Sequence, residues 1–144
     1  MGYSYQRTVQ LADTDAAGVV YFATLLHICH EAYEQCLMEM GLDWQALLNA
    51  KEIALPIVHA DIDFFQPLRW GDRLTIELFP AITTDKLGQF TVTYQIHKES
   101  RVKLVSIAKT THVAIAPIDQ KRRQLPDIFE QWLKNAPKLP DGKS

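Results

Sequence analysis

Leu11-Ala-Asp-Thr-Asp-Ala-Ala-Gly-Val-Val-Tyr-Phe22 is the stretch that decides the fold, because a polar turn in it gives way to a long apolar period. Asp and Thr favour local turns, and Gly18 can adopt backbone angles closed to other residues. From Phe22 onward the apolar residues keep the helical period for about five turns, as far as a natural stop at Gly41. They are Leu25, Leu26, Cys29, Tyr33, Cys36, Leu37 and Met40. The stretch therefore predicts a loop that enters one long helix.

The same stretch brings a carboxylate, that of Asp15, close to the start of the helix. The first N–H groups of a helix have no intrahelical acceptor and carry a partial positive charge. A carboxylate beside such donors can attack a carbonyl carbon, or activate water against it, while the donors hold the carbonyl oxygen. An Asp before a helix is, however, more often a turn or capping residue. The residue types alone leave both roles open.

The rest of the chain has mostly the pattern of strands. A first strand is predicted over 5–12 and a short helix over 44–50. Four further runs lie between turn-forming residues and each predict a strand with one buried face, over 58–65, 73–78, 90–97 and 104–115. A short helix over 126–132 precedes a tail, 137–144, that we expect to fray. One long helix cannot bury itself, so we predict a single α+β domain over 1–144, with the helix on a curved antiparallel sheet of about five strands. Short connections imply that consecutive strands are neighbours.

Length, charge and cysteine content narrow the class of protein. A chain of 144 residues can bury a core without metal or disulfides. Its net charge of −2 gives no reason to expect a nucleic-acid partner, and no apolar run reaches membrane-spanning length, so no membrane partner is expected. Cys29 and Cys36 lie two helical turns apart, roughly 10 Å along the axis, which is too far for a disulfide. With no secretory signal in view, these thiols predict a cytoplasmic protein.

The central motif resembles a known family. Asp13-Thr-Asp-Ala-Ala-Gly-Val-Val-Tyr-Phe22, with Glu31-Ala-Tyr-Glu34 after it, is similar to the hotdog-fold thioesterases of the 4-hydroxybenzoyl-CoA type. Three later pieces extend the resemblance over nearly the whole chain, namely Leu55-Pro56, Asp61-Ile-Asp-Phe-Phe-Gln-Pro67 and Gly71-Asp72. The resemblance implies a hotdog fold and an acyl-CoA thioesterase.

Three segments carry a narrower resemblance, to the 1,4-dihydroxy-2-naphthoyl-CoA hydrolases of phylloquinone (vitamin K1) and menaquinone biosynthesis. They are Leu11-Ala-Asp-Thr-Asp15, Cys29-His-Glu-Ala-Tyr-Glu34 and Leu55-Pro-Ile-Val-His-Ala60. The resemblance therefore implies hydrolysis of that thioester to 1,4-dihydroxy-2-naphthoate and CoA. Two alternatives stay open: a thioesterase for another aryl- or acyl-CoA, such as 4-hydroxybenzoyl-CoA, and a non-catalytic hotdog dimer that binds acyl-CoA.

The family's catalytic carboxylate corresponds to Asp15, and its oxyanion donor to the backbone N–H of Phe22. Asp15 would act as nucleophile or as general base, and the residues leave that choice open. Gly18 would let the loop backbone approach the substrate closely. The acyl group needs an apolar slot with a few polar contacts, for which the candidates are Tyr21, Phe64 and Phe65 as walls and His59 or Asp61 toward ring hydroxyls. His59 and Asp61 share one strand face with Asp63, and a solvated or dimer-facing polar face is the other role open to them. No cofactor is expected, because CoA is part of the substrate.

Other polar residues have competing roles. We expect Asp13 to brace the loop. For Glu31 and Glu34 we expect core or interface roles, and the alternatives are that they brace the loop or bind polar substrate atoms. His27 and His30 lie one turn apart, yet His-x-x-His-Glu is not the His-Glu-x-x-His of zinc hydrolases, so no metal site is predicted. The CoA phosphates need cations, and four residues qualify equally, namely Arg69, Arg73, Arg101 and Lys103.

An antiparallel sheet of this size has exposed edges. Pairing one edge between two copies of the chain removes it, so we expect at least a homodimer, and a tetramer as the full assembly.

Overall fold

The computed structural model describes residues 3–99 and 101–140. Its five strands are β1 (Tyr3–Thr8), β2 (Ile57–Phe64), β3 (Arg73–Ile82), β4 (Gln89–Lys98) and β5 (Lys103–Val113). Its helices are α1 (Phe22–Glu39), α2 (Trp44–Ala50) and α3 (Asp127–Lys134), and a 3-10 turn covers Leu11–Asp13. The predicted long helix, the short helix after it and the helix near the end are all confirmed. Of the predicted tail, residues 141–144 lie outside the described residues.

The predicted first strand, 5–12, is wrong at both ends. β1 begins at Tyr3 and ends at Thr8, and a 3-10 turn follows at Leu11–Asp13. The Asp13 carboxylate accepts a hydrogen bond from the Gln10 N–H at 2.7 Å, which closes the turn. A side chain that captures a nearby backbone N–H competes with strand pairing, and here it prevails.

All strand pairs are antiparallel, in the order β1-β3-β4-β5-β2. The α+β architecture with one antiparallel sheet is therefore confirmed. The prediction that consecutive strands are neighbours is wrong for β2 and β3, because β4 and β5 lie between them. The connection over residues 65–72 must cross three strand spacings, about 14 Å, and eight extended residues can span roughly 26 Å. A short connection therefore did not require adjacent strands.

Helix α1 supplies one side of the core. Five of the seven residues of the predicted stripe are buried, while Leu26 and Met40 are half-buried. The buried residues of α1 pack with apolar residues of β3, β4 and β5; they are Leu25, Ile28, Cys29, Ala32, Tyr33, Cys36 and Leu37. Helix α3 closes the core through Trp132, whose indole N–H donates to the Cys36 sulfur at 3.3 Å. The same indole stacks on Tyr3 of β1, with ring centroids 5.8 Å apart, and the Tyr3 hydroxyl donates to the Trp132 carbonyl at 2.9 Å.

Strand β2 does not have the predicted buried face. Of its eight residues, Ile62 alone is half-buried, and the others are exposed on both sides of the strand. Val58 is 58% exposed and Phe64 is 49% exposed. The prediction rested on alternation, which marks a strand that something covers, and no described element of this chain covers β2.

Within residues 3–99 and 101–140, no helix combines the length and the apolar character needed to cross a membrane.

Candidate active site

The loop that carries Asp15 is fixed by its own backbone. The Asp15 N–H donates to the Val19 carbonyl at 2.9 Å, and the Gly18 N–H donates to the Asp15 carbonyl at 3.0 Å. Gly18 has φ +83°, a left-handed conformation that this tight turn requires. One oxygen of the Asp15 carboxylate accepts the Ala17 N–H at 2.9 Å. Across the described residues the other oxygen has no hydrogen-bond partner, and the side chain is exposed, so it is free to meet a ligand.

Helix α1 begins with an unoccupied backbone donor. The N-cap residue Tyr21 makes no side-chain cap, and its own N–H donates to the Asp13 carbonyl at 3.0 Å. The Thr24 N–H bends back to the Tyr21 carbonyl at 2.9 Å. The Phe22 N–H has no acceptor among residues 3–99 and 101–140. A free N–H at a helix N-terminus, reinforced by the helix dipole, is a site for negative charge.

A cavity of about 320 Å³ opens beside this helix start. Its lining is mostly apolar and comes from the end of the Asp15 loop, from α1 and from the chain that leaves β2: Val19, Val20, Phe22, Leu25, Phe64, Phe65, Gln66, Pro67 and Leu68. The Val20 N–H donates to the Leu68 carbonyl at 2.8 Å, which joins the two walls. The volume lies at the lower end of the range for small-molecule sites.

The structure gathers some of the predicted site residues and not others. Phe22 and Phe64 both line the cavity, as does Phe65. Gly18 and Tyr21 lie next to it along the chain, and the Tyr21 ring packs against the Phe22 ring with centroids 4.8 Å apart.

Asp15 does not line this cavity, and neither do His59 or Asp61. Both of those residues lie on exposed β2, where the imidazole Nε2 is 3.2 Å from the Asp61 carboxylate. Their proposed contacts with the substrate remain predictions.

The two glutamates of α1 have different surroundings. Glu34 is exposed and borders a groove of about 520 Å³ together with His30, Tyr33, Met38, Leu48 and Leu55. Glu31 instead lies against Arg7 of β1, with 2.7 Å between the guanidinium Nε and the carboxylate. Glu31 therefore braces the region beside the loop, which was one of the alternative roles considered for it.

Arg7 is the residue that the sequence analysis missed. Its guanidinium also holds the Asp13 carboxylate through two hydrogen bonds, from Nη1 at 2.5 Å and from Nη2 at 3.2 Å. The bracing role predicted for Asp13 agrees with this geometry. The signal was present in the strand pattern, because Tyr3, Tyr5 and Arg7 share the inward face of β1 and Val9, just beyond its end, is buried as well. A charged residue on an inward face needs a charged partner.

These contacts change the acidity of both partners. Burial alone would raise the pKa of Asp13, but hydrogen bonds from Arg7 and from the Gln10 N–H lower it below its ordinary value. The hydrogen bond to Asp13 raises the pKa of Arg7. Both groups are thus charged at any pH near neutrality.

Comparison with known proteins identifies the family. The model of the thioesterase-like superfamily matches residues 9–136. The chain is 53% identical to a 1,4-dihydroxy-2-naphthoyl-CoA hydrolase of Picosynechococcus sp., over 99% of each chain. It is 47% identical to the enzyme of the same name from Crocosphaera subtropica, over 92% of this chain and 96% of that one.

A solved structure agrees with both sequence matches. The crystal structure of a 1,4-dihydroxy-2-naphthoyl-CoA thioesterase from Synechocystis superposes with a TM-score of 0.88 at 39% identity, covering 94% of this chain and 97% of that chain. The expected hotdog fold is confirmed. The family model covers most of the chain, and a curated relative is 53% identical to it over 99% of its length. The chain therefore belongs to the thioesterase-like superfamily.

Proposed function

We propose that this chain hydrolyses 1,4-dihydroxy-2-naphthoyl-CoA to 1,4-dihydroxy-2-naphthoate and CoA, a step of phylloquinone and menaquinone biosynthesis. One observation carries the proposal: Phe22 offers a free backbone N–H at a helix start, and the same residue lines an apolar cavity. An acyl group seated in that cavity would bring its carbonyl oxygen toward the donor. The names of the relatives and of the solved neighbour support the choice of acyl group.

The chemistry makes few demands on the protein. The leaving thiol of CoA has an ordinary acidity close to that of cysteine, with a pKa of roughly 8.5, so it needs little protonation. The reaction needs a nucleophile and a donor for the developing oxyanion. The Phe22 N–H supplies the donor, and one such donor is worth about 3 kcal/mol of transition-state stabilisation. No cofactor takes part in these steps.

Asp15 supplies the reacting carboxylate. One of its oxygens is held by the Ala17 N–H, and the other is free to attack the thioester carbon or to take a proton from water. The first route gives a mixed anhydride that water then cleaves. Rapid mixing separates the two routes, because a burst of CoA release ahead of naphthoate release indicates the anhydride.

The test is release of free thiol from a panel of CoA esters, made with dihydroxynaphthoyl, hydroxybenzoyl, short-chain and long-chain acyl groups. We expect fast release from the naphthoyl ester and a loss on the order of 10³-fold or more in Asp15→Asn. Asp119→Asn is a matched control, since the Asp119 carboxylate accepts the Lys121 N–H at 2.9 Å in the same kind of turn. The control should keep full activity.

Each other outcome would change the proposal in a defined way. Asp15-dependent release that favours another ester would keep the site and change the substrate. Binding of CoA esters without release would indicate the non-catalytic acyl-CoA-binding dimer. Full activity in folded Asp15→Asn would refute the site assignment.

We also propose that two copies of the chain associate through β2. This edge strand exposes apolar side chains on both faces, and a second copy paired with it would cover them. It would also bring His59 and Asp61 next to a second chain. Light scattering should give at least a dimer, with a tetramer as the expected assembly, and Val58→Lys should shift it toward monomer with loss of activity. A fully active monomer would contradict the proposal.

The compartment we propose is the cytoplasm, in keeping with free thiols at Cys29 and Cys36.

A further inference from the structure

Arg7 joins three parts of the structure beside the candidate site. Its guanidinium reaches the Asp13 carboxylate through Nη1 and Nη2, and the Glu31 carboxylate through Nε at 2.7 Å. Arg7 belongs to β1, Asp13 to the loop and Glu31 to α1. The planar fork of an arginine can hold two carboxylates at fixed angles, which a lysine cannot do.

These ion pairs are largely shielded from water. The side chain of Arg7 is 11% exposed and that of Asp13 is 9% exposed. The Tyr5 hydroxyl adds a donor to Glu31 at 3.3 Å, and His27 lies 3.6 Å from the same carboxylate. A buried charge that loses its partner is strongly unfavourable, so the loop cannot leave Arg7 at low cost.

Asp13 connects Arg7 to both proposed reacting groups, the Asp15 carboxylate and the Phe22 N–H. Its side chain is held by Arg7 and by the Gln10 N–H, and the chain reaches Asp15 two residues later. Its backbone carbonyl accepts the Tyr21 N–H at 3.0 Å, and Tyr21 directly precedes Phe22. A single residue thus tethers the segment with the carboxylate and the segment with the free N–H.

We infer that Arg7 is a positioning residue for thioester hydrolysis, which fixes the Asp15 carboxylate relative to the Phe22 N–H by holding Asp13. The inference rests on the proposed function, which gives those two groups their chemical roles. Arg7 itself touches no reacting atom. Its effect should therefore fall on the rate of the chemical step and leave substrate binding almost unchanged.

The first test compares Arg7→Met and Arg7→Lys with the wild type in the thiol-release assay. We expect kcat to fall on the order of 100-fold in Arg7→Met, the size of loss that a misplacement near 1 Å produces, with KM changed less than about threefold. Arg7→Lys should have a kcat between those of Arg7→Met and the wild type, because its ammonium keeps the positive charge but cannot hold both carboxylates as the guanidinium does. Lys98→Met is the matched control, since it breaks another half-buried ion pair of the sheet, with Asp72 at 3.2 Å, and should keep the wild-type kcat.

A purely structural role is excluded by repeating Arg7→Met in the Asp15→Asn background. If Arg7 acts through Asp15, the second substitution should lower the residual rate less than tenfold, against about 100-fold in the wild type. An equal factor in both backgrounds would overturn the inference, and so would a folded Arg7→Met enzyme with the wild-type kcat. If Arg7→Met does not fold, Arg7→Lys decides, and a wild-type kcat in that variant overturns the inference. Full activity in Asp15→Asn would instead refute the proposed function, whatever Arg7 does.

Discussion

Acidification from pH 7 toward pH 4 should destabilise the folded chain through one buried imidazole, that of His112. This residue of β5 is fully buried, and its Nε2 lies 2.8 Å from the Thr110 hydroxyl. The Phe90 ring stacks on the imidazole with ring centroids 4.7 Å apart, and the Tyr33 ring lies at the same centroid distance with its plane tilted by 39°. Burial, with a smaller contribution from His30, lowers the pKa of His112 to about 4.

The size and sign of the effect follow from proton linkage. In the unfolded chain the pKa of a histidine is about 6.5. Between pH 6.5 and pH 4 the unfolded chain therefore binds a proton that the folded chain does not, and stability falls by about 1.4 kcal/mol per pH unit. The total loss over these 2.5 pH units is about 3.4 kcal/mol, and it levels off below pH 4, with almost no contribution above pH 7. That is a large part of the 5–15 kcal/mol typical of a folded domain.

Denaturant unfolding at pH 7.5 and at pH 4.5, at one fixed protein concentration, measures the loss. His112→Phe serves as the reference, because it leaves every other ionisable group in place and keeps an aromatic ring against Phe90. The free energy of unfolding should fall by roughly 2–3 kcal/mol more in the wild type than in the variant. The same pH dependence in both proteins would refute the reasoning.

Two further predictions concern a glycine turn and the two cysteine thiols. Gly88→Ala should lower the free energy of unfolding by about 2 kcal/mol more than Gly71→Ala does. Both glycines have positive φ, so the backbone strain is similar in the two variants. A Cβ at Gly88 would lie 2.1 Å from the Arg123 carbonyl oxygen, whereas a Cβ at Gly71 would meet no atom within 4 Å. Equal losses in the two variants would contradict the predicted clash. Burial raises the pKa of Cys29 to about 12 and that of Cys36 to about 11. A thiol reagent at pH 8 should therefore label both cysteines rapidly in denaturant and only very slowly in the folded protein. Fast labelling of the folded protein would contradict this prediction.

Local patterns in the sequence carried much of the fold. The apolar period after Phe22 predicted α1 because a helix buries one face against its own chain, and the structure buries five of the seven predicted residues. The end of β1 was mispredicted because a single side-chain bond, from the Gln10 N–H to Asp13, ends the strand early. The neighbour of β2 was mispredicted because the length of a loop sets only the maximum distance between the strands it joins, and does not determine which strands pair.

The candidate site was less accessible to sequence reasoning. Phe22 and Phe64 meet in one cavity although 42 residues separate them, and the motif around Asp15 gave the reason to look there. Arg7 escaped notice because its partners, Asp13 and Glu31, lie on two other elements whose approach only the tertiary fold decides. His59 and Asp61 lie on a strand that no described element of this chain covers, so alternation in the sequence did not show which of its faces meets a neighbour.

The stacking of Tyr3 on Trp132 has a consequence for how the chain reaches its fold. These residues are 129 positions apart, and β1 pairs with β3 across another long separation. Contacts so distant in sequence are slow to form, so refolding should take milliseconds to seconds. During synthesis β1 must wait for β3, and its packing against α3 must wait until Trp132 has left the ribosome. The strand that carries Arg7 is therefore anchored only after β3 is available, and its packing against α3 follows only once residue 132 has been synthesised.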